Sequence, residues 1–194
     1  MFREMSYFIL KNAGWKFVNN IPDDLRSFVF IGAPHTSNLD FFPAMAISYF
    51  MKRNARFVIK KEWTKFPLNL FFSPLGAIGI DRHPSKGSGA SSYTDKMAQL
   101  FKDNKEFVLM IAPEGTRSPN ENWKTGFYYI AQKANVPIVL GYADFQSKEV
   151  GLGKVIYPEN FEKDMKAIME FYQDKHGKND NNFKLDLKFM KDEK

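Results

Sequence analysis

Short apolar runs at residues 28–31, 57–59, 77–80, 107–111 and 137–140 are separated by stretches of helical periodicity. The runs have the length and β-rich composition of buried strands. Between and after them, helices are expected at residues 41–51, 92–102, 127–134 and 161–172. Strands that alternate with helices confine the chain to an α/β fold: a mostly parallel central sheet flanked by helices. In such sheets ligands bind at the carboxyl ends of the strands. His35, Lys60, Arg82 and Arg117 all follow apolar runs, so they should gather on one edge of the sheet.

The 194 residues read as a single domain. Phe2, Met5, Phe8, Ile9 and Ala13 recur at helical spacing, so the chain should open with an N-terminal amphipathic helix, within residues 1–20. That helix either packs on its own domain or lies in a membrane interface. The α/β core is expected over residues 25–160, and a C-terminal helix and tail over 161–194. In the tail Phe183, Leu185, Leu187 and Phe189 alternate with charged residues, the pattern of a terminal edge strand or an extended tail. The glycine- and serine-rich segment 87–92 fits neither G-x-G-x-x-G nor a Walker A sequence, and reads as a loop capping a helix.

Composition narrows the partners. A net charge of +6 favours anionic ones: a membrane surface, a phosphate-bearing substrate or nucleic acid. Nucleic acid fits poorly, because no helix carries a dense basic stripe and no nucleic-acid motif appears. Twenty Phe is a high count, whose usual home is a core, but which would also suit a channel for a lipid chain or a face laid on a membrane. The cations Lys52, Arg53, Arg56, Lys60, Lys61 and Lys65, set against the single acid Glu62, precede the uncharged aromatic run 66–80. That run is too short and too interrupted to span a bilayer. The N-terminus lacks the features of a signal peptide. There is no Cys, hence no thiol chemistry and no cysteine-bound metal, and a cytoplasmic setting fits.

The chemistry centres on residues 32–40. Gly32, Ala33 and Pro34 end the first run, and His35, Thr36, Ser37, Asn38, Leu39 and Asp40 lead into a helix. Ser37 or Asn38 can cap that helix, and Asp40 falls in its first turn, where a carboxylate is favoured. A histidine leaving a strand, with a carboxylate in reach, has what a general base needs. Taken alone, H-x4-D is short enough to arise by chance, and describes equally a surface His beside a capping Asp.

Four separated motifs together resemble the phospholipid/glycerol acyltransferase family, of the lysophosphatidic acid acyltransferase type. His35-Thr36-Ser37-Asn38-Leu39-Asp40 is similar to its H-x4-D block. Gly76-Ala77-Ile78-Gly79-Ile80-Asp81-Arg82 resembles its G-x-I-x-x-D-R block, and Glu114-Gly115-Thr116-Arg117-Ser118 its E-G-T-R-S block. Val136-Pro137-Ile138-Val139 resembles V-P-I-V, Lys60-Lys61-Glu62 a family K-K-E, and Lys124-Thr125-Gly126 a family K-x-G. Where many members have Asn-His-Gln-Ser, this chain has Pro34-His35-Thr36-Ser37. The family's long anchoring helices are missing from it.

The resemblance implies transfer of an acyl chain from acyl-CoA or acyl carrier protein to the hydroxyl of a lysolipid acceptor, without a resident cofactor or metal, at the inner face of the cell membrane. His35 would be the base and Asp40 its orienting partner. Lys60, Arg82 and Arg117 would hold an acceptor phosphate, Arg as a fork and Lys as a point charge. The resemblance assigns Glu114 to acceptor binding, and Glu114 could also orient Arg117. Gly115, beside Thr116, would let backbone approach the ligand. Three rival readings stand beside it: a non-catalytic lipid- or membrane-binding protein on the same fold, an acyltransferase for a phosphate-free lysolipid, and a hydrolase releasing free fatty acid from the thioester.

Overall fold

The computed structural model describes residues 1–53, 55–80 and 90–190. Seven strands form one sheet: β1 (Lys16–Asn19), β2 (Phe28–Gly32), β3 (Ala55–Lys60), β4 (Ala77–Ile80), β5 (Val108–Ile111), β6 (Ile138–Asp144) and β7 (Glu149–Ile156). Their order is β1-β7-β6-β2-β5-β3-β4. The strands from β6 to β4 are parallel; β7 returns antiparallel beside β6, and β1 runs parallel to β7. The helices are α1 (Phe2–Asn12), α2 (Phe41–Phe50), α3 (Asn69–Phe72), α4 (Ala90–Asp103), α5 (Gly126–Ala134) and α6 (Phe161–Tyr172). The architecture is the mostly parallel α/β sheet that the alternating pattern requires, with the N-terminal helix in place.

The central strands are covered on both faces, which is why their sequences are continuously apolar. Val29, Ile31, Leu109, Ile138 and Leu140 join Met97, Phe127, Ile130, Met165 and Tyr172 of α4, α5 and α6 in one cluster. The alternate residues Phe28, Phe30, Val108, Met110 and Val139 join Ile47 and Met51 in a second. β2 sits at the centre, between β5 and β6. The segments leaving β2 and β5 are therefore neighbours on one edge.

The helix α1 packs on the domain and also keeps an apolar outer face. Ser6 and Leu10 are buried, while Met1, Met5, Phe8 and Ile9 are exposed. Arg3 locks the helix down by donating to Ala55 O at 2.7 Å and Leu75 O at 2.6 Å. Burial, and then the neighbouring Arg56, hold its guanidinium below the usual arginine range.

Of the two forms expected of the tail, an edge strand or an extended tail, it takes the second. Residues 183–189 pair with no strand; short 3-10 turns, Asp180–Asn182 and Leu187–Met190, bracket an extended stretch. Its polar groups are satisfied by side chains and backbone of another loop instead. The Trp123 N–H donates to Asp186 Oδ2 at 3.0 Å, and Trp123 Nε1–H donates to Lys184 O at 2.9 Å. The extended stretch half-buries Phe183 and Leu185 without pairing in a sheet, and the turn after it buries Phe189.

Candidate active site

At the carboxyl end of β2 the chain passes through Ala33 and Pro34, joined by a cis peptide bond, to His35. Ser37 caps the turn Asn38–Asp40: its Oγ accepts the Leu39 N–H at 3.1 Å. Asp40 reaches back in return. Its Oδ2 accepts the N–H groups of Thr36 at 2.7 Å and Ser37 at 2.8 Å. The same oxygen lies 3.3 Å from His35 Nδ1. One carboxylate oxygen thus collects two backbone amides and an imidazole. The amides fix the carboxylate, and the carboxylate in turn fixes the ring. At 3.3 Å the His–Asp contact is longer than a tight hydrogen bond, as such contacts often are before substrate binds. The imidazole is 30% exposed and Asp40 8%. With Nδ1 turned to Asp40, Nε2 is the nitrogen left for an incoming group.

Glu114 completes this arrangement from the adjacent strand. It follows β5, is 3% exposed, and its Oε2 accepts the backbone N–H of His35 at 2.8 Å. Burial pushes its carboxyl up to about 8, helped by the charge of Asp40 and opposed by the hydrogen bond from His35. Its own carbonyl accepts from Asn120 Nδ2 at 2.7 Å, and the same nitrogen donates to Asn122 O at 3.0 Å. Gly115 turns with φ +69°, a left-handed conformation that favours glycine, and the Lys124 stem lies against it. The loop then carries Thr116 and Arg117 into solvent. Glu114 therefore faces His35 rather than Arg117, and Arg117 bonds to no described residue.

Lys60 ends β3, two strands from β2 in the order β2-β5-β3. At the spacing of neighbouring strands this is about 10 Å away on the same edge. It is exposed. Arg82 lies outside the described residues. In the basic cluster, Arg53 is not available to a ligand: its guanidinium donates to Leu25 O at 2.7 Å, Met51 O at 2.9 Å, Asp23 O at 3.2 Å and Pro22 O at 3.3 Å. Lys52, Arg56, Lys61 and Lys65 are exposed.

Reading the sequence missed three supports of this edge. Tyr172, fully buried on α6, donates its hydroxyl to Ile31 O and Gly141 O, 2.8 and 2.9 Å away, near the end of β2 and at the middle of β6. Asn120 shapes the loop after Glu114. Asn179 holds Thr36 from the C-terminal segment. Only Tyr172 carried a usable signal, as an apolar position of an amphipathic helix with a polar end that must find partners.

Beside the start of α2 an open groove of about 320 Å³ is lined by Leu10, Trp15, Leu39, Phe42, Pro43 and Phe145, with Lys148 and Lys178. Further along the same side, Phe2 stands 5.6 Å from Phe41, 6.0 Å from Phe42 and 5.7 Å from Phe71, which links α1, α2 and α3 into one aromatic surface. Phe66 (79% exposed) and Leu70 (70%) project from it. No helix among the described residues is long and apolar enough to cross a membrane.

No curated protein and no solved structure gives a significant match to the chain. The acyltransferase family model does, over residues 18–140, a span running from β1 through the His35–Asp40 turn and the Glu114 loop into β6. With more than half its length matched, the chain belongs to the acyltransferase family.

Proposed function

We propose that this acyltransferase moves a fatty acyl group from an acyl-CoA or acyl carrier protein thioester to the hydroxyl of a lysophospholipid, 1-acylglycerol 3-phosphate fitting best. The observation that carries the reading is the His35–Asp40 pair. The ring lies 3.3 Å from a carboxylate oxygen that two backbone amides hold in place, on the ligand-binding edge of the sheet.

The acceptor hydroxyl is neutral and a poor nucleophile, so it must lose its proton as it attacks. His35 Nε2 takes that proton while the oxygen bonds to the thioester carbonyl carbon. Asp40 stabilises the imidazolium that forms. The tetrahedral intermediate collapses, the carbon–sulfur bond breaks, and the imidazolium returns the proton to the departing thiolate. The ester, the free thiol and neutral His35 are the products, and no acyl-enzyme is needed. Lys60 and Arg117, with Arg82, are the cations for an acceptor phosphate. Gly115 and Thr116 supply the backbone beside it. The neutral, buried Glu114 shapes the site by holding His35.

The enzyme works from the cytoplasmic side as a peripheral protein. The outer face of α1, Phe66, Leu70 and Phe71 enter the lipid, and Lys52, Arg56, Lys61 and Lys65 meet its anionic headgroups.

The test is incubation of the protein with labelled acyl-CoA and, separately, acyl carrier protein thioester, against a panel of lysolipids, with products identified by mass spectrometry. Wild type should form diacyl product, and His35→Ala should lose roughly 10²–10⁴-fold in rate while staying folded. Asp40→Asn should be impaired as well. Near-normal turnover in a folded His35→Ala variant, or release of free fatty acid without any acceptor dependence, would overturn the mechanism.

A further inference from the structure

After α6 the chain does not leave the domain. It crosses the mouth of the sheet as a strap, and each crossing point is pinned. The Phe145 N–H, at the end of β6, donates to His176 O at 2.9 Å. The Asn179 N–H donates to Thr36 Oγ1 at 3.1 Å, and Asn179 Nδ2–H donates to Thr36 O, also at 3.1 Å. The strap approaches so closely that a Cβ on Gly177 would lie 2.6 Å from Thr36 Oγ1 and 3.1 Å from Pro34 Cβ. Asp180 secures the strap's own turn, with Oδ1 accepting the Gly177 N–H at 3.2 Å and Oδ2 lying 3.1 Å from His176 Nδ1.

Thr36 is the residue on which this matters. It is 2% exposed, it stands between His35 and Ser37, and its own N–H donates to Asp40 Oδ2 at 2.7 Å. Its side-chain oxygen and its carbonyl are taken by Asn179, while its amide is taken by Asp40. Thr36 is also, with Pro34, one of the two positions where the sequence departs from the Asn-His-Gln-Ser form of the block, and the strap lies beyond residue 140, where the family match ends.

We propose that Asn179 is a positioning residue of the acyl transfer: by clamping Thr36 it holds the peptide that orients Asp40 toward His35. The departure at position 36 and the C-terminal strap then form one device: the threonine hydroxyl accepts the strap's backbone N–H at Asn179, and the Asn179 side chain holds the Thr36 carbonyl. A turn fixed only from within could rotate its amides away from the Asp40 carboxylate. The strap removes that freedom from outside, and misplacement of reacting groups by about 1 Å is enough to cost roughly 10²-fold in rate. The inference rests on His35 acting as the base.

The test compares the full-length wild type with Asn179→Ala, Thr36→Val, Thr36→Ser and the Asn179→Ala/Thr36→Val double variant. The first readout needs no substrate: amide hydrogen exchange followed by NMR. Asn179→Ala and Thr36→Val should speed exchange at the Thr36 and Ser37 amides by roughly tenfold or more, with β5 and β6 unchanged. Thr36→Ser, which keeps the hydroxyl, should restore the protection lost in Thr36→Val. The second readout is steady-state kinetics with palmitoyl-CoA and 1-acylglycerol 3-phosphate. The kcat of Asn179→Ala should fall roughly tenfold to a hundredfold while both KM values stay within about threefold. Asn179→Ala removes the bond to Thr36 O and Thr36→Val the bond to Thr36 Oγ1, so the double variant, which lacks both, should be more impaired than either single one. Unchanged exchange at Thr36 and Ser37, or a loss of protection spread over the whole sheet with a matching fall in Tm, would overturn the proposal. If His35→Ala is inactive and Asn179→Ala is normal, the clamp alone fails. If His35→Ala is active, the reading of the base fails, and the exchange data still report on the clamp.

Discussion

The backbone N–H of His35 and the side chain of Glu114 meet at 2.8 Å, across 79 residues of sequence. The bond ties the segment leaving β2 to the segment leaving β5, its parallel neighbour. It also gives the glutamate of the E-G-T-R-S block a place facing the histidine of the H-x4-D block, 3% exposed and held largely protonated at neutral pH because burial pushes its carboxyl up to about 8.

Glu114→Gln should therefore be mild and Glu114→Ala severe. The glutamine carbonyl can accept the His35 N–H, so kcat/KM should stay within a few-fold of wild type. Alanine leaves that N–H without its partner, which costs about 1–3 kcal/mol of stability and loosens the proposed base. Urea unfolding and steady-state kinetics of the two variants check this. Equal damage from both would mean that the carboxyl group itself, and not its role as acceptor, is what the site requires.

The same carboxyl sets a pH dependence whose sign is fixed. Its folded pKa, about 8, lies above the ordinary 4.5, so between those values the native state holds a proton that the unfolded chain has lost. Stability from this group is complete below about pH 4.5, falls as pH rises through about 8, and is level above. A single proton can contribute a slope of at most ~1.4 kcal/mol per pH unit. The unfolding free energy of wild type minus that of Glu114→Gln should decline from pH 5 to pH 8 and flatten by pH 9. A difference that does not change with pH would show that Glu114 is ionised throughout.

The fold was legible because its central strands are apolar on both faces, so runs such as residues 28–31 needed no periodicity to be recognised. The His35–Asp40 turn was legible too, since the cap at Ser37 and the carboxylate in the first turn are local chemistry. What escaped was set by distant partners. β1 offers only Phe17 and Val18 between Lys16 and Asn19, and becomes a strand because β7 lies beside it. The tail alternates as a strand does, yet Trp123 takes its hydrogen bonds. Glu114 and Asn179 meet the histidine block across 79 and 143 residues, distances that no local pattern encodes. Arg53 stood in the sequence as one more surface cation, and only the structure shows its guanidinium given to four carbonyls.

Membrane attachment should depend on side chains that project outward, and those are separable from the ones that hold α1 in place. Deleting α1 would also remove Arg3 and Leu10, so point variants are the sharper probe. Phe8→Ser, Phe66→Ser and Leu70→Ser each remove an exposed apolar group that would be buried on binding, at a cost of about 1.5–3 kcal/mol. Partition onto vesicles of phosphatidylglycerol and phosphatidylcholine should fall roughly tenfold or more for each. Tyr157→Ser, an exposed residue after β7, should bind as wild type does. Raising salt should weaken binding further, because exposed Lys52, Lys61 and Lys65 are screened. Binding that ignores the three substitutions and the content of anionic lipid would place the membrane surface elsewhere.

Arg117 should reveal the acceptor. It stands at the tip of the loop that Glu114 and Asn120 anchor, exposed, and it bonds to no described residue, so its guanidinium is free to meet a ligand. Against a phosphomonoester it can make charge-assisted hydrogen bonds worth ~1.5–3 kcal/mol each. With 1-acylglycerol 3-phosphate as acceptor, Arg117→Ala should lower kcat/KM by roughly tenfold to a hundredfold or more. Arg117→Lys should recover only part of that, because a point charge cannot reproduce the planar fork. The KM for the thioester should hardly move, since the proposed function assigns the arginine to the other substrate. A lysolipid acceptor without a phosphate should depend on Arg117 far less, and this contrast separates recognition from mere folding of the loop. The measurement is steady-state kinetics of wild type and both variants with a phosphate-bearing and a phosphate-free acceptor. Equal losses for the two acceptors would make Arg117 a structural residue, and the phosphate would then have to be bound by Lys60 and Arg82 alone.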